Sequence, residues 1–159
     1  MRPSLIRVEA DEVTYSLHVM LRFELERQLV RGDVAPEELP GIWRDRMEEY
    51  LGVRPENDHD GVLQDIHWSF GAFGYFPTYF LGNLYSAQFY EKASESIDDL
   101  EGKISRGEFL PLREWLRTEI HEAGSRYPAT QLCEKVTGRP LDASLYGKYL
   151  EEKLAALYD

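Results

Sequence analysis

Val13, Leu17, Leu21, Leu25 and Leu29 recur every fourth residue, with Met20 beside them. At 3.6 residues per turn this spacing lays an apolar stripe along one face of a helix. Asp11 is placed to cap its start and Gly32 to stop it. A second stripe runs through Leu39, Ile42, Trp43, Met47, Tyr50 and Leu51 and ends at Gly52. Pro36, Glu37 and Glu38 suit its start, with Pro40-Gly41 inside the first turn. A third helix is predicted from about Tyr79 to Leu100, carrying Leu81, Leu84, Tyr85 and Gln88. A fourth covers Leu112, Trp115, Leu116, Ile120 and Ala123. A short one follows Pro128 and stops near Gly138 and Pro140. The last starts after Asp142 and carries Leu145, Tyr146, Tyr149, Leu150, Leu154 and Leu157. Residues 4–8 suit an extended backbone. The fold class is therefore all-α, with about five or six helices in a single unit spanning residues 1–159.

The chain has 159 residues, 43% hydrophobic and 13% aromatic, enough for a substantial core. Its net charge of −11 is spread along the chain. Neutralising phosphates needs clustered Lys and Arg, so no nucleic acid and no anionic membrane surface is expected as a partner. No apolar run has the length of a membrane span, and Met1-Arg2-Pro3-Ser4 lacks the apolar core of a signal peptide. Cys133 is the single cysteine, which excludes an internal disulfide and suits a reducing, cytoplasmic setting.

Residues 52–78 are irregular, with Gly52, Pro55, Gly61, Gly71, Gly74 and Pro77 breaking the pattern. Within them, Gly74-Tyr75-Phe76-Pro77-Thr78-Tyr79 sets two phenols four residues apart beside two backbone-fixing residues. Such phenols either fill the core or act as pre-set donors to an anion or oxyanion. His67, next to Trp68, reads either as a buried imidazole satisfied by backbone or as a site residue on a loop. Arg7 precedes Glu9, Asp11 and Glu12. It reads either as an ion pair locking the helix start or as a planar fork for a carboxylate. His18 reads as structural, and Cys133 as an inert core thiol. None of His18, His59, His67 and His121 has a second histidine at zinc-ligand spacing. His121-Glu122 opens a His-Glu-x-x-His pattern, but Ser125 stands where its second histidine would be.

Three segments in order, Ile6-Arg7-Val8-Glu9-Ala10-Asp11, Gly61-Val62-Leu63-Gln64-Asp65-Ile66-His67-Trp68 and Gly74-Tyr75-Phe76-Pro77-Thr78-Tyr79, resemble the carboxypeptidase Taq family of zinc metallocarboxypeptidases. The ending, from His121 through Tyr127-Pro128 and Thr137-Gly138 to Tyr149-Leu150, is similar as well.

The resemblance implies a role as the C-terminal third of a larger helical metallopeptidase fold, since family members are roughly three times this long. It implies zinc, or cobalt in its place, in the intact enzyme, on ligands that lie upstream of the first segment; this chain offers no ligands or cofactor of its own. It implies Arg7 holding the C-terminal carboxylate of a peptide. Tyr75 and Tyr79 would assist with that carboxylate or with the oxyanion. His67 would donate to the substrate backbone or to the tetrahedral intermediate. The expected partners are the peptide C-terminus, the missing N-terminal metal-binding part, and a second copy through self-association. The isolated chain is expected to be inactive. Half of a split enzyme and a non-catalytic helical interaction module are the alternatives.

Overall fold

The computed structural model describes residues 2–158. Seven α-helices and three short 3₁₀ turns make up its regular structure, with no strand among the described residues. Internal contacts group the chain into two compact units, one up to Leu81 and one from Gly82.

The first unit opens with a 3₁₀ turn, Arg7–Glu9, where sequence suggested extended backbone. α1 follows at Glu12–Arg31. Its start is set by Asp11, whose Oδ1 accepts from the backbone N–H groups of Val13 and Thr14. Two otherwise orphaned donors are thereby satisfied. Its end is Gly32, in the left-handed conformation at φ 76°. α2 spans Leu39–Leu51, starting after Pro36 rather than at it, with Pro40 in its first turn. Leu21, Leu25, Leu39, Trp43, Met47 and Leu51 form the buried core between α1 and α2. Each such side chain contributes about 1.5–3 kcal/mol on full burial.

α1 buries more than its apolar stripe. Thr14, His18, Arg22 and Glu26, each one residue beyond Val13, Leu17, Leu21 and Leu25, are buried too. They form a parallel polar line about 100° around the helix. Apart from Met20, apolar and polar residues thus alternate from Val13 to Leu25, a pattern that also suits a strand. The Asp11 cap and the long-range partners of the polar line accompany the helical form.

The second unit holds most of α3, Phe76–Ser96, whose first six residues belong to the first unit. α3 starts three residues before the expected Tyr79 and ends before Leu100, which instead opens α4, Leu100–Ser105. α4 is too short to leave a periodic signature. α5 is Leu110–Glu119, α6 Ala129–Thr137 and α7 Ser144–Tyr158. The fourth predicted helix ends early, and His121–Ala123 is a separate 3₁₀ turn. Leu84, Ala93, Leu100, Cys133, Val136 and Tyr146 are buried here. Gln88 is buried and donates to Thr137 Oγ1 at 3.0 Å and to the Pro140 carbonyl at 3.1 Å. Its Oε1 accepts from the Asp142 N–H at 2.8 Å, tying α3 to the link between α6 and α7. Cys133 is a buried free thiol, pushed up by burial, as an inert core cysteine is. Among the described residues, no helix is long and apolar enough to cross a membrane.

Candidate functional site

All four sequence-predicted site residues lie in the first unit: Arg7 and His67 stand beside one carboxylate, and Tyr75 and Tyr79 pack on His67. Asp65 accepts from Arg7 Nη2 at 2.8 Å and from Arg22 Nε at 2.7 Å. Arg7 adds a bond from Nε to Asp65 Oδ1 at 3.2 Å, and its Nη1 donates to the Tyr15 hydroxyl at 3.1 Å. The partner of Arg7 is therefore Asp65, 58 residues away, and not the neighbouring acidic group. Of that group, Asp11 is occupied in capping α1.

The second segment carries out the assembly residue by residue. Gly61 passes close to the chain before it: a Cβ there would sit 3.0 Å from the Asn57 carbonyl oxygen. Gln64 accepts from the Arg7 backbone N–H at 2.9 Å and donates to the carbonyls of Leu5 and Asp60. It clamps the start of the chain onto this segment. Asp65 holds the two arginines. Trp68 donates from Nε1 to Glu26 Oε1 at 2.8 Å, anchoring the segment to the polar line of α1.

His67 and Tyr79 are brought into contact, with Nε2 3.1 Å from the hydroxyl oxygen. Tyr75 stacks on His67 at 5.7 Å between ring centroids and meets Tyr79 edge-on at 5.4 Å. Phe76, buried and adjacent to Pro77, packs at 4.5 Å against His67. The left-handed Gly74, φ 80°, turns the chain just before Tyr75. Tyr75 is 50% exposed, so of the two phenols it is the one presented outward. The Arg7 guanidinium lies over the Tyr79 ring at 5.0 Å and over Phe76 at 5.7 Å.

The charges respond to these surroundings. Burial works against the Arg7 cation, yet the Asp65 hydrogen bond and charge together raise it above its ordinary value. Arg22 is wholly buried, and burial brings it down to about 10 despite Asp65. Both stay charged at neutral pH. Burial opposes ionisation of Asp65 as well, but the two guanidiniums hold its carboxyl below the usual range. Burial, then the charge of Tyr75, raises the Tyr79 phenol. His18 is pushed down to about 4, first by burial and then by the Arg22 charge. It touches the Ser4 carbonyl through Nε2 and Arg22 through Nδ1, a structural placement.

Sequence reasoning passed over Asp65, Arg22, Tyr15, Glu26 and Gln64 as functional positions. The fourfold spacing of Thr14, His18, Arg22 and Glu26 was the available signal, because it lines these polar residues up on a face next to the apolar stripe.

No group of three or more His, Cys, Asp or Glu able to hold a metal ion is found among the described residues. His18 has both ring nitrogens engaged, His67 engages Tyr79, and Asp65 is saturated by arginines. The residues present do not fit a resident metal.

A wholly helical fold with an arginine–carboxylate centre beside a histidine–tyrosine pair is the arrangement that the three sequence segments build. Residues 1–154 match the carboxypeptidase Taq (M32) metallopeptidase family, and the chain belongs to it. It is 53% identical over 158 residues to thermostable carboxypeptidase 1 of Thermus thermophilus, covering 99% of this chain and 31% of that protein. It is 46% identical to thermostable carboxypeptidase 1 of Pyrococcus furiosus, again over 31% of that protein. The crystal structure of the M32 carboxypeptidase from Deinococcus radiodurans superposes with a TM-score of 0.96 at 44% identity, covering 99% of this chain and 32% of that one. The chain thus spans about a third of the length of the relatives that it matches.

Proposed function

We propose that this chain forms the substrate-binding part of a metallocarboxypeptidase, which releases C-terminal amino acids from peptides. The observation that carries the reading is the cluster of Arg7 on Asp65 with His67, Tyr75 and Tyr79 beside it. A carboxypeptidase must recognise a free carboxylate and stabilise charge that develops on the scissile carbonyl. Arg7 holds Asp65 on its Nε and Nη2 side. Its Nη1 end, beside Tyr15 and the Tyr79 ring, is the part left for a substrate carboxylate. Tyr75, half-exposed and braced on His67, is placed to donate to an oxyanion. Such donors contribute on the order of 2–4 kcal/mol each to the transition state.

The metal ligands and general base belong, in this reading, to polypeptide of the kind that fills the rest of the relatives' length. Zinc or cobalt would supply a Lewis acid and an activated water there. The chain alone therefore gives no turnover. The test incubates it with zinc or cobalt and with C-terminally free and blocked peptides. No amino acid should be released by the chain alone, and co-expression with the remaining family segment should restore release from the free peptide only. Release by the isolated chain overturns the proposed division of labour.

A second reading is a helical module that associates with itself. Leu63, Ile66 and Phe70 are 71%, 69% and 65% exposed on the segment that builds the site. A cluster of that kind favours protein contact. Sedimentation of the chain alone and mixed with the remaining family segment separates the readings: a self-dimer that persists in the mixture favours the module.

A further inference from the structure

Asp65 does more than pair with arginines. Arg7 and Arg22 grip it from two sides, so the carboxylate cannot turn. His67 lies two positions along, with Nδ1 3.8 Å from Asp65 Oδ1. That nitrogen is buried and makes no hydrogen bond, whereas Nε2 faces the Tyr79 hydroxyl at 3.1 Å. Rings enclose the imidazole, Phe76 at 4.5 Å and Tyr75 at 5.7 Å, which restrains it from turning over.

A neutral imidazole carries its proton on one nitrogen. With the proton on Nε2, the Nδ1 lone pair is buried against a carboxylate oxygen, acceptor facing acceptor, and the contact repels. With the proton on Nδ1, a donor stands 3.8 Å from the carboxylate oxygen, and a movement of less than about 1 Å brings it into hydrogen-bond range. The Nε2 lone pair then accepts the Tyr79 O–H. A carboxylate that selects a histidine tautomer through the far nitrogen is a familiar device for orienting the near one.

We propose that Asp65 is the positioning residue for His67: it holds the imidazole proton on Nδ1 and so commits the Tyr79 hydroxyl proton to Nε2. Under the peptidase reading, which this consequence rests on, Tyr75 is left as the phenol that donates to a bound anion. The tautomer itself does not depend on that reading.

The test uses the full 159-residue chain labelled with ¹⁵N-histidine. Long-range ¹H–¹⁵N correlation distinguishes the two tautomers over the pH range in which the ring is neutral, and His67→Gln assigns the signals. The unsubstituted chain should show His67 protonated on Nδ1. In Asp65→Asn one oxygen remains: held by Arg22 at the Oδ2 position, it leaves the NH₂ group at the Oδ1 position against the ring, so the proton should move to Nε2. In Tyr79→Phe it should remain on Nδ1. Protonation on Nε2 in the unsubstituted chain overturns the proposal, and so does a folded Asp65→Asn that keeps Nδ1–H. Where Asp65→Asn fails to fold by circular dichroism, Tyr79→Phe decides: loss of the Nδ1–H signature there assigns the tautomer to Tyr79 instead. No step reads turnover, so failure of the peptidase reading leaves this result standing.

Discussion

The Arg7 guanidinium and the Asp65 carboxylate, 58 residues apart in sequence, meet at 2.8 Å in a buried pair. Arg22, completely buried on α1, binds the same carboxylate at 2.7 Å. One anion is thus the shared partner of two cations that have little other access to water. Truncating it leaves both uncompensated. Asp65→Ala is expected to destabilise the chain by about 3–5 kcal/mol. Arg54→Ala, at an exposed ion pair, should leave stability nearly unchanged. Urea unfolding followed by circular dichroism compares the two directly.

Stability should also fall on mild acidification. The folded value of His18 is about 4 against an ordinary 6.5, set by burial first and the Arg22 charge second. Between these values the unfolded chain binds the proton and the folded one does not. Stability is therefore fully present above about pH 6.5 and declines as pH falls toward about 4, by on the order of 3 kcal/mol. The carboxyls of Asp11 and Asp65 are held below their ordinary 3.8, so their contribution is lost only at lower pH. His18→Gln should flatten the profile between pH 5 and 6.5, on a scale of about 1 kcal/mol per lost pH unit. A profile as steep as that of the unsubstituted chain would show that His18 is not the group responsible.

Trp68 supplies the hydrogen bond to Glu26 Oε1, and the other carboxylate oxygen, Oε2, is buried without a partner. Trp68→Phe keeps an aromatic ring but removes the donor. The loss expected is about 1–3 kcal/mol, from the desolvated carboxylate left behind. Double substitution with Glu26→Gln should recover part of it, read as a non-additive pair in denaturant unfolding.

In an assembly competent for turnover, Tyr75→Phe and Tyr79→Phe should differ. Tyr75 is half-exposed, whereas the Tyr79 hydroxyl lies 3.1 Å from His67 Nε2. Removing the outward donor should lower kcat by about 10²–10³, with KM nearly unchanged. Removing the Tyr79 hydroxyl should cost about tenfold, as for one neutral hydrogen bond. Equal losses, or the reverse order in steady-state kinetics, would reject this division between the phenols.

Most helices were legible because their signals are local. The fourfold spacing from Val13 to Leu29, the Asp11 cap and the Gly32 stop all act within a few residues, and α1 runs Glu12–Arg31 accordingly. α4 was illegible because six residues hold less than two turns of pattern. α3 starts at Phe76, ahead of the expected Tyr79: Pro77 reads as a breaker in sequence, but a first-turn proline loses no hydrogen bond. At the site, Arg7, His67, Tyr75 and Tyr79 were nameable from three short segments. Their arrangement was not, since nothing in the spacing pairs position 7 with position 65.

The sequence by itself determined that this chain is helical, where α1 and α2 stop, and which family it resembles. Residue type and short-range spacing carry that information. Only the tertiary structure decided that the polar line His18, Arg22 and Glu26 lies inside, and that Asp65 is the common partner of Arg7 and Arg22. Only it turned Tyr75 outward and Tyr79 onto His67. The physical reason is that a buried charge is tolerable only where distant parts of the chain bring the opposite charge to meet it, and such pairing has no period along the sequence.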